Sequence, residues 1–307
     1  MITRLALRPV QAARRHVRAL FHSPNGDHRA SGWVAFGTIA VSVLLVFTGM
    51  DAAANGKLQS NDLLKLQTDM GLVAADDFSG PQGTVPSARM WNIRTGGGGW
   101  GNDEQQIYTD APENVSYDGN GNLQITARGD GTKITSGRID TLGKLDTSTG
   151  LIAVRAKMPE GQGIHPAIWM LGSSIDVVGY PESGEIDIFE QVNKRSDNAV
   201  GAIGPRTDLT IKTPWKVQRP LRPDETGMSD EFHTYWIYRE AGLIQIGLDG
   251  RTVMRITPKD LPPESVWVMD DPFFLVLNVA AGGQWPGRVD PAALPATMTV
   301  DWVRVYG

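Results

Sequence analysis

Cysteine is absent from all 307 residues, which removes disulfides, thiol nucleophiles and thiolate metal sites. Histidine is scarce. Of five, His16, His22 and His28 lie in the N-terminal tail, which leaves His165 and His233, too few and too far apart for a zinc cluster. Basic charge is thin beyond residue 31: residues 1–31 sum to +5 and the remainder to −10, within a total of −5. An acidic body argues against nucleic acid as the partner. No long stretch of the body has helical periodicity, so a helical bundle is excluded. The run Gly96-Gly97-Gly98-Gly99 lacks the lysine and Ser/Thr of a phosphate loop and reads as a mobile loop at a cleft rim.

What is present begins with one apolar run. Residues 32–50 carry no charge and are long enough to cross a bilayer as a helix. The arginines before them, Arg4 to Arg29, predict a cytoplasmic N-terminus and a body outside the cell membrane. Ala52-Ala53-Ala54 offers the competing outcome, secretion after signal cleavage near Ala54. The expected organisation is a basic tail over 1–31, a transmembrane signal-anchor over 32–50, a linker with weak helical pattern over 51–71 and a catalytic domain over 72–307. In that domain short β-branched and aromatic runs, such as Leu123–Ala127, Leu151–Lys157, Leu243–Leu248 and Phe273–Val279, alternate with Gly, Pro, Asn and Asp clusters. Asp118-Gly119-Asn120-Gly121 and Asp249-Gly250 mark turns. Many short antiparallel strands predict an all-β fold, a two-sheet jelly-roll sandwich.

The most informative segment is Ser183-Gly184-Glu185-Ile186-Asp187-Ile188-Phe189-Glu190-Gln191. On a strand, Glu185 and Asp187 share a face and Glu190 points the other way. One bulge between Asp187 and Glu190 brings Glu190 back to the face of Glu185. A row of three acids then results, and two carboxylates flanking a bond are what glycosidic hydrolysis with retention requires. Sugar sites also need aromatic platforms for the C–H face of the ring. Pro166-Ala167-Ile168-Trp169-Met170-Leu171 precedes the acid strand by a hairpin-sized gap; Trp169 is equally a candidate for the core. Trp285 sits in the loop Gly282-Gly283-Gln284-Trp285-Pro286-Gly287, where core burial is less expected.

With these blocks the chain resembles glycoside hydrolase family 16, most closely its laminarinase-type endo-β-1,3-glucanases. The resemblance runs in order through Trp100 to Tyr108, Ser136 to Ile139, Val154 to Pro159, Pro166 to Leu171, Glu185 to Glu190, Phe232 to Tyr235, Asn278 to Gly287 and Val300 to Tyr306. It implies Glu185 as nucleophile, Glu190 as general acid/base and Asp187 as the helper that tunes the nucleophile. It implies that Asn102, Arg138, Trp169 and Trp285 line sugar subsites. Three positions depart from the family: His165 and Arg239 stand where tryptophans are usual, and Ile203 stands where a histidine commonly precedes Gly-Pro. His165 is expected either to contact sugar or to be a surface residue replacing a lost platform. The resemblance also implies a structural calcium held by backbone carbonyls near Asp76-Asp77-Phe78 and by Asp301; the reaction itself requires no cofactor.

The expected function is therefore internal, retaining cleavage of a β-linked polysaccharide by a membrane-anchored monomer. Close carboxylates are expected to keep Glu190 protonated while Glu185 is ionised. A transglycosylase that remodels an envelope glycan and a silent glycan-binding module are the alternatives. Retention of both glutamates argues against the silent module.

Overall fold

The computed structural model describes residues 61–130, 133–193, 198–207, 213–221 and 231–307. The segment 32–50 lies outside these residues. Among the described residues no helix is long and apolar enough to cross a membrane.

In chain order the strands are β1 (Leu72–Asp76), β2 (Asn92–Ile93), β3 (Ile107–Tyr108), β4 (Val115–Tyr117), β5 (Leu123–Gly129), β6 (Ile134–Ser136), β7 (Arg138–Asp140), β8 (Asp146–Thr147) and β9 (Gly150–Lys157). They continue as β10 (Ile164–Gly172), β11 (Glu185–Gln191), β12 (Asn198–Gly204), β13 (Trp215–Pro220), β14 (His233–Glu240), β15 (Leu243–Leu248), β16 (Arg251–Ile256), β17 (Phe273–Ala281) and β18 (Ala296–Tyr306). Two sheets result. One runs β16-β15-β14-β9-β18-β5-β6-β3, with β1 on β18 and β4 on β5; the other runs β13-β12-β11-β10-β17-β7-β2, with β8 on β17. Apart from the short parallel pair β3–β6, the ladders are antiparallel. The expected all-β sandwich is present, and the second sheet carries the acids.

Alternation explains the core. Ile186 and Ile188 of β11, Ile168 and Met170 of β10, and Leu275 and Leu277 of β17 point between the sheets. Val154, Tyr235, Ile246 and Val303 meet them from the other sheet. Phe189 is buried with Ile188, and its ring lies 4.4 Å from that of Tyr235. Two consecutive inward residues are the mark of a bulge. On β12 the partner of Asp187 is Gly201 and that of Glu190 is Ala199, so β11 holds one extra residue there. The ladder to β10 slips at the same place.

The domain reaches further back than the expected start at 72. A helix, α1 (Asp62–Asp69), precedes β1, capped by Asn61 Oδ1, which accepts from Leu64 N at 2.9 Å. Its Leu63 packs with Leu151, Ala153 and Trp236 on the outer face of the first sheet. Asp62 accepts from the Thr252 hydroxyl at 2.6 Å, and Asp62 N donates to Gly250 O. The pattern in 51–71 is weak because α1 buries one leucine rather than a full stripe.

The glycine run is tied at both ends. Gly96 exchanges two backbone hydrogen bonds with Tyr108, and Glu104 N donates to Gly99 O. Arg239 is also no part of a sugar subsite. It is 2 % exposed between the sheets, where it donates to Met269 O and to Thr147 and lies over the Phe273 ring.

Candidate active site

Outside the second sheet lies a cleft of about 730 Å³ lined by Glu185, Asp187 and Glu190 together. The bulge accounts for this: with Ile188 and Phe189 both turned inward, Glu190 returns to the face of the other two acids. The floor beside them is flat because Gly201 and Ala199 stand opposite Asp187 and Glu190. Ile203 stands opposite Glu185, with Lys216 of β13 next in the row, and both line the cleft.

Every other residue expected to meet sugar also lines this cleft: Asn102, Arg138, His165, Trp169 and Trp285. Trp169 is not a core residue. Its Nε1 donates to Asn278 Oδ1 at 2.7 Å, and its ring lies 4.8 Å from the Arg138 guanidinium. The same guanidinium also lies over the Trp100 ring at 4.7 Å. Arg138 is thereby held flat in the cleft with its Nε unpartnered, and burial lowers its pKa. Trp285 is 45 % exposed, an open platform. The loop bearing it approaches Asn102 closely: Gln284 N donates to Asn102 O, and a Cβ on Gly283 (φ +121) would sit 2.8 Å from that same oxygen. His165 is not a surface residue. It is 8 % exposed, its Nε2 lies 3.1 Å from Glu190 Oε1, and its ring meets the Trp285 ring edge-on at 5.5 Å. His233 does not line the cleft; its Nδ1 lies 2.9 Å from Asp249 Oδ2 and secures the strand end.

Several supporting residues lie in the blocks that carry the resemblance, but their roles are not singled out there. Asn278 Nδ2 donates to Tyr108 Oη at 3.1 Å, and the Tyr108 hydroxyl donates to Glu104 Oε2 at 3.4 Å. Gln106 Nε2 also donates to Glu104, while its Oε1 accepts from Ala281 N. This chain of bonds fixes Trp169 from behind. Glu104 lines the cleft and is raised by burial. Only the fold brings residues so far apart in the chain together.

Burial dominates the electrostatics of Glu185 and Asp187. Burial, then the charge of Glu190, raises Glu185 to about 7, against the pull of Lys216 and Arg138. Burial, then Glu190 and Glu185, raises Asp187 well above the carboxylate range. Asp187 Oδ2 is buried without a hydrogen-bond partner, a position that an ionised carboxylate would not sustain. A neutral Asp187 between the glutamates lowers the charge crowding on Glu185. Tyr180 on the preceding loop is raised by burial and by all three acids.

The carboxylates near the expected calcium position are engaged by other groups. The Asp301 carboxylate is engaged by Arg155, that of Asp77 by Arg304 at 3.0 Å, and that of Asp76 by Phe78 N and Trp91 Nε1, each at 2.9 Å. Among the described residues no group of three or more acid, histidine or cysteine side chains could hold a metal ion.

Residues 102–304, more than half of the chain, match the model of Glycosyl hydrolases family 16. A beta-glucanase of Rhodothermus marinus is 36% identical over 250 residues, covering 75% of this chain and 82% of that protein. Glucan endo-1,3-beta-glucosidase A1 of Niallia circulans is 32% identical over 267 residues, covering 77% of this chain but 38% of its own longer one. Among solved structures, the laminarinase catalytic domain of Thermotoga maritima superposes with a TM-score of 0.67 at 36% identity, covering 77% of this chain and 98% of its own. With a cleft and acid strand of this form, the matched length and the identity to these enzymes establish that the chain belongs to glycoside hydrolase family 16.

Proposed function

We propose that this glycoside hydrolase cleaves β-1,3-linked glucan or a related β-glycan internally, with retention, using Glu185, Asp187 and Glu190. One observation carries the reading: the bulge in β11 aligns the three acids on one face inside a cleft with open tryptophan walls. In the first step Glu190 gives its proton to the glycosidic oxygen as the C1–O bond breaks, and the bonding pair stays with that oxygen. A carboxylate oxygen of Glu185 forms the new bond to C1 from the opposite side. In the second step Glu190, now a carboxylate, takes a proton from water as the water oxygen attacks C1. Glu185 leaves as a carboxylate, and the β configuration is restored. Burial disfavours charge on Asp187, which leaves the negative charge to Glu185 at the start. Trp285 and Trp169 offer ring surface to sugar, and Arg138 and Asn102 offer donors to its hydroxyls.

A panel of β-glucans and β-galactans digested with the full chain, with products sized over time, tests this reading. Rapid appearance of mid-length oligosaccharides from a β-1,3-glucan supports it. Products growing longer than their precursors would instead make the protein a transglycosylase, and no cleavage of any β-glucan would overturn the reading. We further propose that residues 32–50 hold this domain at a membrane, supported by their uncharged length and the arginines that precede them.

A further inference from the structure

His165 lies on β10 beside the acid strand, where it touches both Glu190 and Trp285 in the cleft. Its Nε2 is 3.1 Å from Glu190 Oε1, while its Nδ1 is buried without a partner. Its ring is braced edge-on against Trp285 at 5.5 Å. Glu190 is 14 % exposed at its side chain, and His165 is the side chain bonded to it. We propose that His165 is the positioning residue for the general acid/base: its Nε2–H holds Glu190 Oε1 and leaves Oε2 as the oxygen that carries the catalytic proton. The inference rests on the role given to Glu190 above.

The chemistry favours a donor at this place. Glu190 must be protonated in the first step and ionised in the second. When it is ionised, both oxygens only accept; when Oε2 carries the proton, Oε1 remains a carbonyl oxygen that accepts. A single tautomer, with the proton on Nε2, therefore satisfies the bond in both states without a proton moving. Nothing bonded to Nδ1 holds the proton on the other nitrogen. A carboxyl that pivots freely would present either oxygen to the glycosidic bond, and the fixed one presents Oε2 throughout. The bond is also stronger to the ionised form. Its loss should therefore favour protonated Glu190 and displace the alkaline limb of the pH profile upward. The other titratable or charged groups at this place are Glu185 and Asp187 on the same strand, Lys216 on β13, Arg138 on β7, Tyr180 on the preceding loop, and Glu104 beside the imidazole.

The test compares His165→Leu, which lacks the donor, with His165→Gln, whose amide keeps one. Glu190→Ala is the reference, and each variant is measured on polysaccharide and on a dinitrophenyl β-oligosaccharide whose leaving group needs no proton. In His165→Leu, kcat on polysaccharide should fall about tenfold, a part of what general acid catalysis supplies. The aryl substrate should be cleaved at close to the wild-type first-step rate, KM should change little and the alkaline limb should move to higher pH. His165→Gln should recover most of the rate and the original pH profile. Thermal unfolding of both variants separates these effects from misfolding. A loss confined to KM, equal on both substrates and no better in Gln than in Leu, would make His165 a sugar contact and overturn the proposal. If Glu190→Ala shows no dependence on the leaving group, the role of Glu190 falls, and the proposal for His165 falls with it.

Discussion

At the residue scale the site is a problem of three carboxylates under one roof. Burial raises Glu185 to about 7, well above its value in an unfolded chain. A carboxyl with a raised folded pKa contributes stability below its unfolded pKa, and that contribution is lost as pH rises through the folded value. The wild type should therefore lose stability between about pH 4.5 and pH 7 through this group, whereas Glu185→Gln should not. Above pH 7 the variant should gain on wild type by on the order of 3 kcal/mol, read from denaturant unfolding at pH 5 and pH 8. Its turnover should be nearly abolished, because an amide cannot attack C1. Asp187→Asn should fold normally, since the neutral amide resembles the protonated acid, with turnover between wild type and Glu185→Gln. A side chain's identity and spacing were legible in the sequence, and so Glu185, Asp187 and Glu190 could be singled out. Their proton affinities were not legible, because the order depends on which acid the fold buries without a partner. The same holds for His165. Its spacing on β10 says that it faces the cleft, but its bond to Glu190 depends on the register between β10 and β11.

At the element scale the bulge in β11 was legible because the acids are spaced i, i+2 and i+5, and Ile188 and Phe189 are both apolar. The sandwich was legible from strand alternation and turn residues. Helix α1 was missed as part of the domain because its case rests on Leu63 and on Asp62 meeting Thr252, a partner far along the chain. Leu63→Ala should therefore destabilise the domain by about 2 kcal/mol, as truncation of a buried leucine does. Activity per folded molecule should not change, and thermal unfolding together with a rate assay checks both. The loop between β17 and β18 is held differently. Gly283 combines a positive φ with an approach to Asn102 O that admits no Cβ. Gly283→Ala should displace Trp285 and Asn102 together and raise KM several-fold while leaving β11 and its acids in place.

At the scale of the whole molecule, an acidic catalytic domain follows an apolar segment preceded by arginines. The full chain is expected to stay with the membrane fraction through alkaline carbonate washing. A soluble form whose N-terminus lies near Asn55 would show cleavage instead. The chemistry of the domain is the stronger claim, and chemical rescue with azide tests it most directly. In Glu185→Ala the anion should attack C1 where the nucleophile is missing and yield an α-glycosyl azide. In Glu190→Ala, acting on a substrate with a good leaving group, azide should resolve the glycosyl-enzyme and yield a β-glycosyl azide. Opposite anomers from the two variants, read by proton NMR, are the predicted result; the same anomer from both, or an unimpaired Glu185→Ala, would contradict the assignment of the two glutamates.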